Sequence, residues 1–428
     1  MLLIKNGYLC DEKSEGLGEI LIEDGVIAEV AKKIPETSDM QVIDAQGLVV
    51  SPGLVDMHVH LRDPGYEYKE DIITGAAAAA AGGVTTCCCM PNTLPVADNA
   101  ETVRYIVEKA AETPIKVLPY GAVTMGQQGA ELTDFAALKA AGAVGLSDDG
   151  NSIQNAEVTR RAMKLASECG LLLISHCEDA DMVRNYAVNE GAVSRELGIP
   201  GRPAIAEEIM IARDIMLAAE TGARLHIAHV STKASVDIIR YAKKMGVDVT
   251  AETCPQYFTL TEDEVLRQGA LARVNPPLRT ADDVEAIIRG LKDGTIDAIA
   301  SDHAPHSLSE KALPLVDAPS GMIGLETLLA LTVRYLYYQG DFTLRKIIAL
   351  LSTNPAGILG LNAGTMAPGS PADLVIYDSD EDWTVDPEKF KSKARNTPYT
   401  GMTISCIVKY TISQGNIVYK AQGMTPPV

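Results

Sequence analysis

The chain has 428 residues, 46% hydrophobic and 22% charged, long enough to bury a large core and too apolar to stay disordered. Its 57 acidic residues outnumber 37 basic ones, and the formal net charge of −20 excludes nucleic acid as a partner by phosphate repulsion. A small anionic ligand is not excluded, because one local Arg or a metal ion inverts the field at a site.

In chain order, the opening Met1–Gly7 meets charge at Lys5 too early for a secretory signal, and the alanine run at 76–81 is too short to cross a bilayer. A cytoplasmic location is therefore expected. The eight cysteines form no Cys-x-x-Cys pair, and Cys87, Cys88 and Cys89 share a strand-like run, so they read as small core residues in a reducing compartment. Residues 2–4, 19–22, 25–30 and 41–44 read as short strands broken by turns, and 372–377, 404–408 and 416–419 look alike. Neither end has enough strands for an independent sheet, so residues 1–50 and 365–428 are expected to pair into one small β-sandwich domain.

Between them, over 51–364, apolar strands alternate with helical stretches. The strands at 117–120, 171–174, 225–228 and 296–300 and the helices at 98–111, 157–169, 206–221 and 235–245 are examples. Repeated β-then-α units of this extent predict an α/β fold, a closed (β/α)₈ TIM barrel. An open doubly wound sheet is the alternative, but no Gly-x-Gly-x-x-Gly turn follows an early strand.

The chemistry concentrates in seven histidines, four of them at or just past the C-terminal end of an apolar run: His58, His60, His176 and His229. In a barrel that is the rim where active sites are built. His58 and His60 are two apart, so on a strand both rings face one way and can grip one metal; His176 and His229 can hold a second. A single rim histidine is usually structural, but four beside a His-x-His pair are not. Two cations side by side need a bridging anion. Asp148 and Asp149 end one strand-like run, and alternation lets only one of them face the metals. Asp302 ends another. Arg62, two residues past His60, carries a fork that can pair with a substrate carboxylate. His226 lies three before His229, hence on the opposite strand face, and reads as a packed residue; His303 should point away from the metals.

The run Asp56-Met57-His58-Val59-His60-Leu61-Arg62-Asp63-Pro64-Gly65 resembles the first signature of the dihydroorotases in the amidohydrolase superfamily. Ala300-Ser301-Asp302-His303-Ala304-Pro305-His306, with Lys311 beyond, resembles the second. Met90-Pro91-Asn92-Thr93 and Val274-Asn275-Pro276-Pro277-Leu278-Arg279 are similar to further family segments, so the likeness spans nearly the whole chain. It implies two Zn²⁺ per chain, with His58, His60 and Asp302 on one and His176 and His229 on the other. Many relatives bridge their metals with a carboxylated lysine. No lysine lies near Gly145–Gly150, which resembles the type I bacterial dihydroorotases, where an aspartate bridges; the family's register selects Asp149.

The resemblance further implies reversible cyclisation of N-carbamoyl-L-aspartate to (S)-dihydroorotate in pyrimidine (UMP) biosynthesis, with Asp302 as the catalytic proton carrier. Arg62 is implied to bind the substrate's carboxylate, assisted by Asn92 and His306, with Asn275 at the ring. Backbone around Ser320 and Gly321 is implied to touch substrate, although the stretch 318–321 lacks an aromatic that some relatives carry there. Residues 307–321 read as a long loop without a regular element, as lids often are. A homodimer, and association with aspartate transcarbamoylase, are implied as partners. Two alternatives differ in kind: another cyclic amidohydrolase, such as a hydantoinase or allantoinase, and a non-catalytic dihydroorotase-like subunit of aspartate transcarbamoylase. The missing lysine and Arg62 argue against the first. The complete set of ligand types argues against the second.

Overall fold

The computed structural model describes residues 1–424. Eight parallel strands lie in chain order at Leu54–Val59, Val84–Cys89, Lys116–Pro119, Gly145–Ser147, Leu172–Ser175, Leu225–Ile227, Val249–Thr253 and Ala298–Ile299. The first three pair in sequence, as do the last five. Parallel bridges from Gly121 to Leu146 and from Val59 to His303 join the two groups into a ring, and the His60 amide donates to the His303 carbonyl at 2.8 Å. This is the expected (β/α)₈ barrel.

Why the strands close is visible in their side chains. Met57, Cys88, Tyr120, Leu172, Ile174, Ala228 and Ala298 come from strands all around the ring yet form one buried cluster, which only the barrel interior allows. Cys87 and Cys89 belong instead to the larger core that the surrounding helices cover. Strand alternation thus splits the three cysteines between two faces, and all eight cysteines are free thiols.

The outer helices have legible ends. Ala156–Cys169 starts at Asn155, whose side chain accepts from the amides of Glu157 and Val158, and ends at Gly170 in the left-handed conformation. Its buried face is Val158, Thr159, Ala162, Met163 and Ala166, the spacing of one helical stripe. Ala100–Ala110, Ile205–Thr221 and Lys233–Lys244 lie within two residues of the ends predicted for them.

The chain ends meet in one eight-stranded sheet. Its hydrogen-bonded path runs Asn416–Lys420, Thr403–Ser413, Leu374–Thr384, Val49–Pro52, Leu2–Cys10, Glu15–Glu23, Val26–Ala31, with Gln41–Asp44 pairing onto Leu2–Cys10. A bridge from Val26 to Pro371 brings the far edge back, so the sheet curls around Ile4, Ile20, Ile27, Val50, Leu374, Ile376 and Ile412. Among the described residues, no helix is long and apolar enough to cross a membrane.

One expectation needs correction. Residues 307–321 contain a helical turn, Leu308–Lys311, started by a Ser307–Glu310 capping box in which each side chain takes the other's backbone amide. Lys311 is buried there and its ammonium donates to the carbonyls of Arg273 (3.2 Å) and Pro319 (2.9 Å), tying the loop to the barrel.

Candidate metal centre and active site

All six expected ligands converge on the carboxyl-terminal mouth of the barrel, and all are buried. His58 and His60 leave the first strand, Asp149 the fourth, His176 the fifth, His229 the sixth and Asp302 the eighth. Three residues here hold the left-handed backbone that side chains other than glycine avoid: Arg62 (φ 63°), His229 (φ 35°) and Asp302 (φ 47°). Each such residue costs about 1–3 kcal/mol, and strain of this kind gathers where side-chain aim matters more than stability.

Asp149 is the centre of the arrangement. Its Oδ1 lies 3.4 Å from His58 Nε2, 3.5 Å from His176 Nδ1 and 3.4 Å from His229 Nε2, while its Oδ2 lies 3.6 Å from His60 Nε2. Asp302 Oδ1 is 3.1 Å from His60 Nε2 and 3.6 Å from His58 Nε2. Most of these separations are too long for hydrogen bonds. They match the roughly 3.3 Å edge of a tetrahedron whose centre sits at zinc–ligand bond lengths. His58 Nε2 and Asp149 Oδ1 are buried with no hydrogen-bond partner, so the atoms that face one another lack what a cation would give them. Two overlapping groups, His58–His60–Asp302 and His58–Asp149–His229, can each hold a metal ion. The residues fit a divalent metal centre.

Electrostatics agree. Burial raises the Asp149 carboxyl, but the surrounding histidines overcome that and hold it well below its ordinary range. Burial lowers His176, yet Asp149 and Glu178 outweigh it and push the imidazole up to about 10. The cluster favours positive charge at its middle. Asp148 is engaged elsewhere. Its carboxylate accepts from the amides of Val123 (2.8 Å) and Thr124 (3.1 Å) and from the Thr124 hydroxyl, and it stands away from the histidines.

A second layer orients the ligands. His58 Nδ1 is 2.7 Å from Glu252 Oε1, and His60 Nδ1 is 3.0 Å from Asn92 Oδ1, so each ring's protonated Nδ1 faces an acceptor and Nε2 is left for a metal. Burial raises Glu252, but His226 and His58 pull it down to about 2. His226 is fully buried, donor or acceptor to Thr250 Oγ1 at 2.8 Å, with Nε2 3.4 Å from Glu252. It therefore sits beside the His58–Glu252 pair, not on a separate face; the strand ends at Ile227, and the turn into His229 breaks the alternation that the spacing assumed. His303 points away from the ligands: its Nδ1 accepts from the Gly324 amide and its Nε2 faces Glu70 at 3.5 Å.

Beside His176, Arg202 donates to Glu178 at 2.8 Å and to the Asn275 side-chain oxygen, while Asn275 Nδ2 lies 3.2 Å from Glu178 and 3.3 Å from His176 Nε2. Asn275 reaches the cavity wall with both ends of its amide engaged.

The cavity above this cluster, about 200 Å³, is lined by His60, Arg62, Asn92, Asp149, His176, His229, Asn275, Asp302, His306, Ser320 and Gly321 among others. Of the predicted site residues only His58 does not line it; it lies beneath. Arg62 makes part of the wall cationic. Arg62 Nε donates to the Pro305 carbonyl at 3.2 Å, and among the described residues no carboxylate stands within ion-pair distance of its guanidinium. His306 accepts from Lys69 at Nδ1 (3.3 Å) and donates from Nε2 to the Ser320 carbonyl (2.9 Å). Burial, then the charges of Arg62, Lys69 and Lys311, drive its basicity down and keep it neutral. A half-buried guanidinium without a counter-ion, beside a neutral imidazole, can receive a carboxylate.

Sequence reading passed over Glu252, Glu178 and Arg202. A Glu inside the β-branched run Val249–Thr253 was the available signal, because a carboxylate in a central strand is rare without a partner.

The comparisons with known proteins run the same way. A family described as Dihydro-orotase-like matches residues 47–235. The chain is 49% identical over 422 residues to a dihydroorotase of Acetivibrio thermocellus, covering 98% of this chain and 99% of that protein. It is 50% identical to a dihydroorotase of Ruminiclostridium cellulolyticum, with 98% of each covered. Among solved structures, the L-hydantoinase (dihydropyrimidinase) of Arthrobacter aurescens superposes with a TM-score of 0.88 at 26% identity, covering 99% of this chain and 97% of that one. A D-hydantoinase crystal structure at 24% identity, also TM-score 0.88, shares the fold. With half its residues identical over nearly the full length of such relatives, this chain belongs to the dihydroorotase family.

Proposed function

We propose that the protein catalyses the reversible conversion of N-carbamoyl-L-aspartate to (S)-dihydroorotate, the ring closure of de novo pyrimidine synthesis, using two Zn²⁺ per chain. One observation carries the reading: a single carboxylate, Asp149, faces four histidines, and Arg62, which has no carboxylate within ion-pair distance among the described residues, lines the same cavity. Hydantoin and allantoin carry no carboxylate for that guanidinium to meet.

His58, His60 and Asp302 would hold one metal and His176 and His229 the other, with Asp149 between them. When bound, zinc supplies a polarised carbonyl and a water acidified toward neutrality. In the hydrolytic direction the water oxygen bonds to the ring amide carbon, the carbon–nitrogen bond breaks, and the ring nitrogen takes a proton. Asp302 is the residue to carry that proton: its carboxylate lines the cavity, and despite burial His60 and its neighbours keep it ionised and ready to accept. Arg62 binds and orients the substrate's carboxylate, with the His306 imidazole, Asn92, Asn275 and the Ser320–Gly321 backbone forming the rest of the wall. Ring closure is the same path reversed.

In this reading residues 1–50 with 365–428 make the β-domain, 425–428 lying outside the described residues, and 51–364 make the barrel. Eight free thiols suit the reducing cytoplasm. A homodimer, and association with aspartate transcarbamoylase, extend the family's habits and are open to sedimentation analysis with and without that enzyme. The deciding experiment incubates zinc-loaded protein separately with dihydroorotate, allantoin and hydantoin and measures metal per chain. Turnover of dihydroorotate alone, with about two zincs bound, is the expected result. Preference for either other ring, or no turnover with full metal, overturns the proposal.

A further inference from the structure

Asn396 lies outside the barrel's own sequence, in the crossing segment between the two longest strands of the β-domain, Leu374–Thr384 and Thr403–Ser413. Its side chain is nevertheless fully buried behind the cationic wall of the cavity. Nδ2 donates to the carbonyls of Ala304 and Gly321, both at 3.1 Å, and Oδ1 accepts from the His306 amide at 3.0 Å. Its own carbonyl takes the Ile323 amide at 3.0 Å. Ala304, His306 and Gly321 line the cavity, and Asn396 itself does not.

The geometry points to Asn396 as a positioning residue that sets the substrate-carboxylate end of the site, acting through the His306 and Gly321 backbones. No other type of side chain satisfies the three bonds so economically: a carboxylamide offers two donors and an acceptor in one plane, where an acid would set oxygen against two carbonyls. The two segments it ties are close-packed already. A Cβ on Gly321, whose φ is +133°, would stand 2.7 Å from the Ala304 Cβ and 2.9 Å from its carbonyl oxygen. Small shifts there move the Ser320 carbonyl, which orients the His306 ring beside Arg62.

The crossing segment is itself anchored. Glu326 accepts the amides of Lys391 (2.8 Å) and Ser392 (3.1 Å), and Glu70, which faces His303, takes the Ser392 hydroxyl and the Lys393 amide. The β-domain's polypeptide thus braces a wall of the barrel's site from behind.

This inference rests on the dihydroorotase reading, and its test separates the two. The zinc-loaded full chain and its Asn396→Ala and Asn396→Asp variants are compared for dihydroorotate kinetics and for inhibition by orotate and by 5,6-dihydrouracil, the ring without a carboxylate. Both variants are expected to raise KM about tenfold with kcat within about threefold. Orotate inhibition weakens to match, while dihydrouracil inhibition and metal content stay unchanged. Equal weakening for both inhibitors, a fall in kcat alone, or no change overturns the role of Asn396. Should the alanine variant fail to fold, the isosteric aspartate variant decides. An unsubstituted protein that neither turns over dihydroorotate nor binds orotate overturns the functional reading, and this inference with it.

Discussion

His58 and Glu252 stand 194 residues apart in the chain and 2.7 Å apart in the fold, imidazole Nδ1 against carboxylate Oε1. Both are fully buried. The contact fixes which ring nitrogen of His58 carries the proton, leaving Nε2 aimed at Asp149 and Asp302. A carboxylate behind a ligating histidine raises its basicity and holds its plane, and losing such a partner typically costs 10–100-fold in metal affinity. Glu252→Gln should therefore fold normally and lose zinc to a competing chelator at roughly that factor. Unaltered affinity would show that packing alone orients His58.

The two adjacent aspartates should separate cleanly. Asp149→Ala removes the group facing all four histidines and should abolish metal retention. Asp148→Ala removes three hydrogen bonds at the Val123–Thr124 turn and should leave most metal bound, at a stability cost of about 2 kcal/mol read by denaturant unfolding. The opposite pattern of metal loss reassigns the bridge.

These residues also show where sequence reading stops. The His58–His60 pair and the strand-end positions of His176, His229 and Asp302 are legible because period-two alternation and the barrel rule act locally. The choice between Asp148 and Asp149 is not, since it depends on the Val123–Thr124 amides, which come from another strand's loop. Glu252, Glu178 and Asn396 escape sequence reading for the same reason: each acts on a ligand or wall supplied by a remote segment. The Leu308–Lys311 turn escapes it although Ser307 and Glu310 have capping-box spacing, because its helix is a single turn with no apolar stripe.

Asp302→Asn keeps the shape of the side chain and removes its ability to accept a proton. Zinc should remain largely bound through the histidines and Asp149, while kcat drops by about 10³-fold. A variant turning over at near-normal rate excludes Asp302 as the proton carrier.

Arg62→Met removes a half-buried cation that has no carboxylate within ion-pair distance among the described residues. The expected consequence is a loss of about a hundredfold in kcat/KM for dihydroorotate. Arg62→Lys should recover only part of it, since an ammonium cannot form the two parallel bonds of a guanidinium. Binding of 5,6-dihydrouracil is the control, and weakening of that ligand to the same extent counts against a carboxylate-specific role.

Lys311 gives the fold a pH dependence of its own. Burial, and then the charge of Arg273, lower its ammonium from 10.5 to about 7. In the unfolded chain the same group keeps its ordinary value, so between pH 7 and 10.5 the unfolded state binds more protons than the native one. Stability contributed at this position therefore rises with pH across that window, and is flat well below about pH 7, where both states are protonated. Lys311→Met abolishes the titration while filling much of the same space. The difference in Tm, parent minus variant, should climb between about pH 7 and 10 and stay level from about pH 5 to 6. A difference that stays level from about pH 7 to 10 means the ammonium is held charged by the carbonyls of Arg273 and Pro319, so that those two bonds outweigh the burial.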